Sequence, residues 1–476
     1  MELQENTTAV SYIYNFKSAT PLFNETALFL QDEWRLHPRI NISLGLRWDV
    51  DPPPTGQHGN DAYTLLGNIG DPASLSLAPR GTPLWRTYWY DFAPRLGVAW
   101  TPRNRPGTET VVRAGGGVFF DTANEAAAEG YSDALGFEAY TAASGLALPY
   151  TSSQLTVPIS TTPPYTNDVP FAFPSHLQLP YTLEWNTSIQ QALGKNQAFT
   201  ISYVGSNGRR LLGEQELSLT SFNPNFGTAE YFPNAITSNY QALQAQFQRT
   251  VARGIQALAS YTWSHSIDFG SSAFELPLQR GNSDFDVRNN LQGGLSWDLP
   301  HVAEQSLAAE ILNDWGLDAR LNVRSAFPVT LDGNEIVDPA TGSISFGELN
   351  RVAGQPIYVY GNQYPGGKAI NPDAFSLPAT GISGDAPRNF VRGFGATQLN
   401  LAVRREFHLH NDLALQFRAE AFNILNHPIF GLIDPTYTDL TFGQALETLN
   451  SSLGTLASQY QQGGPRSMQF ALKLHF

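Results

Sequence analysis

Cysteine is absent from this chain of 476 residues, which excludes a disulfide framework and thiolate metal sites. Basic residues are scarce: 28 Lys and Arg against 42 Asp and Glu leave a formal net charge of −14, so attraction to nucleic acid or to an anionic membrane surface is not expected. Charged residues make up only 15%, yet no run of about eighteen apolar residues occurs and no transmembrane helix is predicted. The start, Met1-Glu2-Leu3-Gln4-Glu5-Asn6, lacks the basic and apolar regions of an export signal. On that ground the chain is expected to be a processed form, or one whose N-terminal part is missing.

What is abundant points one way. With 41 Gly, 32 Pro and 12% aromatic residues, the composition is that of an all-β protein with many turns. Alternation with period 2 is the dominant pattern, as expected of strands that place one face in lipid and the other in a polar lumen. In the last segment Met468, Phe470, Leu472, Leu474 and Phe476 alternate with Ser467, Gln469, Lys473 and His475. The same alternation sets Ile40, Ile42, Leu44, Leu46 and Trp48 against Asn41, Ser43, Arg47 and Asp49, and Trp315, Leu317, Leu321 and Val323 against Asp318, Arg320, Asn322 and Arg324. The second face carries too many charges for a buried soluble core.

Fourteen strands are predicted, over 7–16, 25–36, 38–49, 92–101, 109–120, 181–193, 197–206, 239–250, 254–266, 288–298, 313–326, 396–407, 412–424 and 465–476. Long and short connections alternate between them. An up-and-down membrane barrel with short periplasmic turns and long external loops has this arithmetic, whereas a soluble sandwich has no reason to sort its loops. Trp34, Trp48, Trp100, Trp185, Trp263, Trp297 and Trp315 lie near strand ends, which suits an interfacial girdle and equally the packing of aromatics in any sheet.

Six segments carry a resemblance: FLQDEWRLHPRINISLGLRWD from Phe29, FAPRLGVAWTP from Phe92, SYVGSNGRRL from Ser202, ASYTWSHSID from Ala259, FRAEAFNILNHPIFG from Phe417 and GPRSMQFALKLHF from Gly464. Together they resemble the C-terminal half of the Oar-like TonB-dependent receptors. The resemblance implies a transmembrane antiparallel barrel of twenty-two strands in the outer membrane of a Gram-negative bacterium. It further implies a separate plug and a TonB-box that contacts the inner-membrane complex. Residues 1–476 are accordingly expected to be the C-terminal part of such a barrel, about fourteen strands, without plug or TonB-box. The expected partners are outer-membrane lipid, the outer-membrane assembly machinery, an unidentified ligand, and the TonB complex through the absent N-terminal part alone. Phe470, Leu472, Leu474 and Phe476 at the absolute C-terminus resemble the signal that the assembly machinery reads.

Other chemistry is considered and set aside. Ser264, His265, Ser266 and Asp268 offer the residue types of a hydrolytic triad, but neighbours on one strand alternate faces and do not converge on one acyl centre. Neither enzymatic activity nor a cofactor is expected. His408 and His410 beside Asp412 could share a face and bind a metal, yet no third ligand is evident. The sequons at Asn6, Asn24, Asn41, Asn186 and Asn450 are expected to be chance occurrences, and Asn41 and Asn186 face the lumen. Asp284, Asp286, Asp332 and Asp338 are expected to be solvated loop charges. A ligand would be handled by lumen-facing polar residues and the loops Asp121–Pro180 and Phe327–Gly395. Two alternatives are a complete fourteen-stranded passive channel and, from another class, a secreted all-β binding protein or glycosidase. The latter would need paired carboxylates in a cleft and two apolar inner faces.

Overall fold

The computed structural model describes residues 10–17, 19–144, 151–153, 155–165, 168–271, 279–301, 311–342, 344–410, 413–431, 433–449 and 463–476. Its centre is a 14-stranded antiparallel sheet. Thirteen strands follow one another along the path in sequence order: β1 Thr26–His37, β2 Ile40–Val50, β3 Asp91–Arg103, β4 Thr110–Phe120, β5 Tyr181–Ala192, β6 Gln197–Leu211, β7 Ile236–Ala252, β8 Ile255–Asp268, β9 Asn289–Asp298, β10 Trp315–Arg324, β11 Ala396–His410, β12 Leu413–Phe422 and β13 Ser467–His475. The fourteenth, Gly281–Asn282, pairs with the end of β8 to one side.

Short connections close one end of this sheet. Arg253 and Gly254 form the two-residue turn between β7 and β8, with φ of 53° and 73°, the double positive φ of a type I′ hairpin. A side chain at Gly254 would stand 2.5 Å from the Asp298 carbonyl oxygen, so glycine is required there twice over, for conformation and for space.

Register shows why the alternation exists. One row across nine strands reads Ile40, Trp100, Val112, Ile189, Ile201, Ala245, Tyr261, Leu291, Val323. The adjacent row, one residue away on every strand, reads Asn41, Ala99, Arg113, Ser188, Ser202, Gln244, Thr262, Asn290, Arg324. The sheet therefore has one apolar and one polar face. Leu44, Leu46, Leu317, Leu321, Phe470, Leu472 and Leu474 lie on the apolar face, and Arg47, Arg320, Arg324, Gln469 and Lys473 on the other, as predicted.

The packed apolar clusters lie elsewhere. All four among the described residues are built from the connections, around Trp85 and Phe137, Leu349 and Phe375, Leu217 and Phe226, and Ile13 and Ala139. Apolar strand residues such as Leu46, Leu258, Trp263 and Phe470 are instead exposed. A soluble protein packs its sheet and exposes its loops; here the relation is reversed, as it must be where lipid replaces the core.

One predicted strand is misplaced. Val10–Phe16 does not join the large sheet but pairs antiparallel with Glu138–Ser144, inside the connection between β4 and β5; positions 7–9 lie outside the described residues. An alternating segment is stable wherever another edge offers hydrogen bonds, so period 2 alone does not name its partner. The sheet path consequently ends at β1 and β13, which are not paired with each other.

Candidate functional site

The polar face carries an ion-pair ladder across four strands. Ser296 on β9 donates to Asp318 on β10 at 2.7 Å, and Asp318 also accepts from Arg404 on β11 at 3.4 Å and from Arg418 on β12. Arg418 donates in turn to Glu420 at 3.1 Å, while Arg404 reaches Asp298. Each charge is matched by an opposite charge on its own strand or one or two strands away, which lets a water-facing surface carry many ions without net repulsion. Beside this ladder, Gln246, Gln248, Gln256, Gln292, Arg320 and Asn322 line a polar concavity.

Where the long connections meet the sheet, charge is buried. Arg388, only 3% exposed, donates to Asp268 at 2.7 Å, to Asp284 at 3.0 Å and to the Ser271 hydroxyl at 3.0 Å. Asp286, 1% exposed, accepts from Arg288 at 2.8 Å, from Arg392, and from the Ser266 backbone N–H at 2.8 Å. Burial alone would push the Asp286 carboxyl up, but the Arg392 and Ser266 donors and the Arg288 charge outweigh it and hold it below the ordinary carboxylate value. The connection 325–395 is thereby tied to the connection 269–288. Asp284 and Asp286 are clamp residues and not the solvated loop charges expected from sequence; besides Arg288 beside Asp286, their partners Arg388 and Arg392 stand 104 and 106 residues away, and no local pattern announces those.

A cavity of about 430 Å³ opens beside this clamp, lined by Arg324, Phe327, Val329, Phe394, Phe430 and Ile433 among others. The Arg324 guanidinium lies 4.1 Å from the Phe327 ring centroid. Its size and mostly apolar wall are those of a small-molecule pocket, and it falls within Phe327–Gly395 and its neighbours, one of the two loops singled out from sequence.

A second group of charges lies in the connection 212–235. Burial pushes the Glu230 carboxyl up to about 8, with Glu214, Glu216 and Glu129 adding to the rise, and burial pushes Glu214 up to about 7, with Glu129 adding to it. Both groups are ordinary near 4.5, so at neutral pH Glu230 is mostly protonated and Glu214 is in the middle of its titration.

The residues of the rejected triad have other partners. Ser264 donates to the Val287 carbonyl at 2.7 Å, His265 Nε2 lies 3.0 Å from Asn282 and 2.8 Å from Arg288, Ser266 bonds Ser283 at 2.7 Å, and Asp268 is held by Arg388. Among the described residues no three His, Asp or Glu side chains are grouped to hold a metal ion; Asp412, Asn6 and Asn450 lie outside them. Phe470, Leu472 and Leu474 share one face of the final strand and are 68%, 70% and 53% exposed, and Phe476, just beyond its end, is 97% exposed.

A family model described as "Outer membrane beta barrel domain" matches residues 3–469. No curated protein matches the chain. Solved structures similar to it include the ferripyoverdine receptor of the outer membrane of Pseudomonas aeruginosa, at 10% identity and a TM-score of 0.45, covering 95% of this chain and 38% of that one. The ferric-catecholate import receptor Fiu from E. coli is similar at 9% identity and a TM-score of 0.46, covering 96% and 45%, and the copper transporter OprC at 11% and 0.44, covering 95% and 48%. The chain thus spans less than half the length of these solved structures.

Proposed function

The chain belongs to the outer membrane beta barrel domain family and resides in the outer membrane, and from that premise we propose that it is the barrel portion of an Oar-like TonB-dependent receptor or transporter. Its task is the uptake or passage of a ligand, met first by the folded external connections and then by the polar face of the sheet. The carrying observation is the reversal of packing: the apolar clusters sit in the long connections while apolar strand residues such as Leu46, Leu258, Trp263 and Phe470 stand exposed. Such a molecule presents a shaped surface outside the membrane and a polar wall within it.

Sheet topology supports the larger barrel over a self-contained channel. Thirteen antiparallel strands in sequence order leave β1 and β13 running the same way, so they cannot close antiparallel on each other. Closure needs an odd number of further strands, and nine would complete the twenty-two that the resemblance implies. Coupling to the TonB complex would rest on the part that carries plug and TonB-box.

Sidedness tests this reading, in a full-length protein from which any cysteine outside these 476 cysteine-free residues has been replaced. In intact cells making the full-length protein, an impermeant maleimide should label Gly354→Cys in a long connection but not Lys195→Cys in a short turn. Equal labelling of both, or labelling of the turn alone, would remove the outward-facing recognition layer on which the proposal depends.

A further inference from the structure

At the long-connection end of β2 and β3, Asp49 pairs across the strands with Asp91, and Asp51 follows two residues on. Asp51 is 6% exposed and Asp91 1%, and none of their four carboxylate oxygens has a hydrogen-bond partner. No ion pair is made by either among the described residues. Glu25 and Asp49 both add negative potential at Asp51. Asn124 donates its amide N–H to Glu25, and its own Oδ1 is a further buried oxygen without a donor. The cations within reach are few: Arg47 is engaged by Asp49 at 2.8 Å, and Arg210 acts on Asp91 only as a neighbouring charge.

Four buried carboxylate oxygens without a single donor, in surroundings already rich in negative charge, and a donorless Asn124 oxygen on the residue that holds Glu25 call for a cation. We propose that Asp51, Asp91 and the Asn124 side-chain oxygen bind a calcium ion, with Glu25 and Asp49 as the outer charges of the site. Oxygen-only donors of mixed carboxylate and amide type suit a hard cation of flexible geometry, which takes about six to eight oxygens and accepts backbone carbonyls and water among them. This explains how a site with two inner carboxylates forms although no three acidic or imidazole groups are grouped for a metal. Magnesium, with its stricter octahedral demand and reluctance to lose water, fits less well. The ion would join the base of the connection 51–90 to the connection that begins at Asp121 and to the approach to β1, fastening the external layer at the sheet edge.

The test uses the full-length protein purified from the outer membrane in detergent micelles, freed of metal by chelation, with calcium chloride alone as probe. Calorimetric titration should show one calcium ion bound per chain, with a rise in melting temperature that magnesium at the same concentration does not reproduce. The isosteric pair Asp51→Asn with Asp91→Asn should weaken calcium binding at least tenfold while melting above the metal-free parent, because the unpartnered charges are gone. Asp338→Asn, an exposed turn carboxylate bonded to the Ala340 N–H, should leave binding unchanged. The proposal is overturned if the parent binds no calcium, if the paired variant binds it as well as the parent, or if the control variant loses it equally.

Discussion

Single residues in the external layer act mostly through burial of charge. Arg388 is enclosed with Asp268 at 2.7 Å, their side chains 2% and 5% exposed. Removing one partner of such a pair leaves the other charged and desolvated, a loss of about 3–5 kcal/mol. Arg388→Ala should therefore loosen the connections 269–288 and 325–395 and open them to protease, while the sheet, which does not need the clamp, keeps its melting transition. Protection equal to the parent would show that the pair is idle. The Glu214 and Glu230 carboxyls make the opposite kind of demand. Their folded values, about 7 and about 8, lie above the unfolded value near 4.5; the folded state holds the protons more tightly. Their stabilising contribution is complete below about pH 4.5 and is lost as pH rises through 7 to 8. Thermal melts of the external layer should fall between pH 5 and pH 8.5, and Glu230→Gln should flatten that slope. An unchanged slope in the variant would assign it to other groups.

At the scale of elements, the final strand shows what a pattern can and cannot say. Met468, Phe470, Leu472 and Leu474 occupy the apolar face at the sheet edge and Phe476 ends the chain beyond it. We propose that this face and terminus are what the assembly machinery reads. Phe476→Asp in the full-length protein should lower the amount of heat-modifiable protein in the outer membrane without lowering synthesis. A normal amount in the membrane would make Phe476 an ordinary strand end. Thirteen strands were legible because lipid on one side and water on the other force a switch at each residue, and rows such as Ile40 to Val323 preserve that switch across nine strands. Val10–Phe16 shows the same alternation, with Tyr12, Tyr14 and Phe16 exposed, yet pairs within the external layer. The clamp at Arg388 and the unpartnered oxygens at Asp51 and Asp91 were not legible. Both depend on connections far apart in sequence coming together, and no spacing within one segment encodes that.

The whole molecule is governed by its two edges. β1 has every residue exposed on both faces, Phe29 and Leu30 each at 77%, and β13 carries exposed leucines to its end. Unpaired strands of this length invite pairing, and in the larger barrel proposed above each edge has a partner. Direction decides which. Both edges run toward the short-turn side, so neither the opposite edge nor a second copy in the same membrane orientation offers an antiparallel strand. In that proposed barrel a strand running the other way would lie against β1 and hand over to the external side, where Val10–Phe16 sits against Glu138–Ser144. These 476 residues hold no cysteine, so with any cysteine elsewhere in the protein replaced a direct test is open. Leu30→Cys combined in turn with Phe470→Cys, Leu472→Cys and Leu474→Cys, in membrane-inserted full-length protein, should give no intramolecular disulfide under mild oxidation, because the completing strands hold the edges apart. Efficient cross-linking in any of the three pairs would mean that the sheet closes on itself, and the molecule would then be a passive channel built from this chain alone.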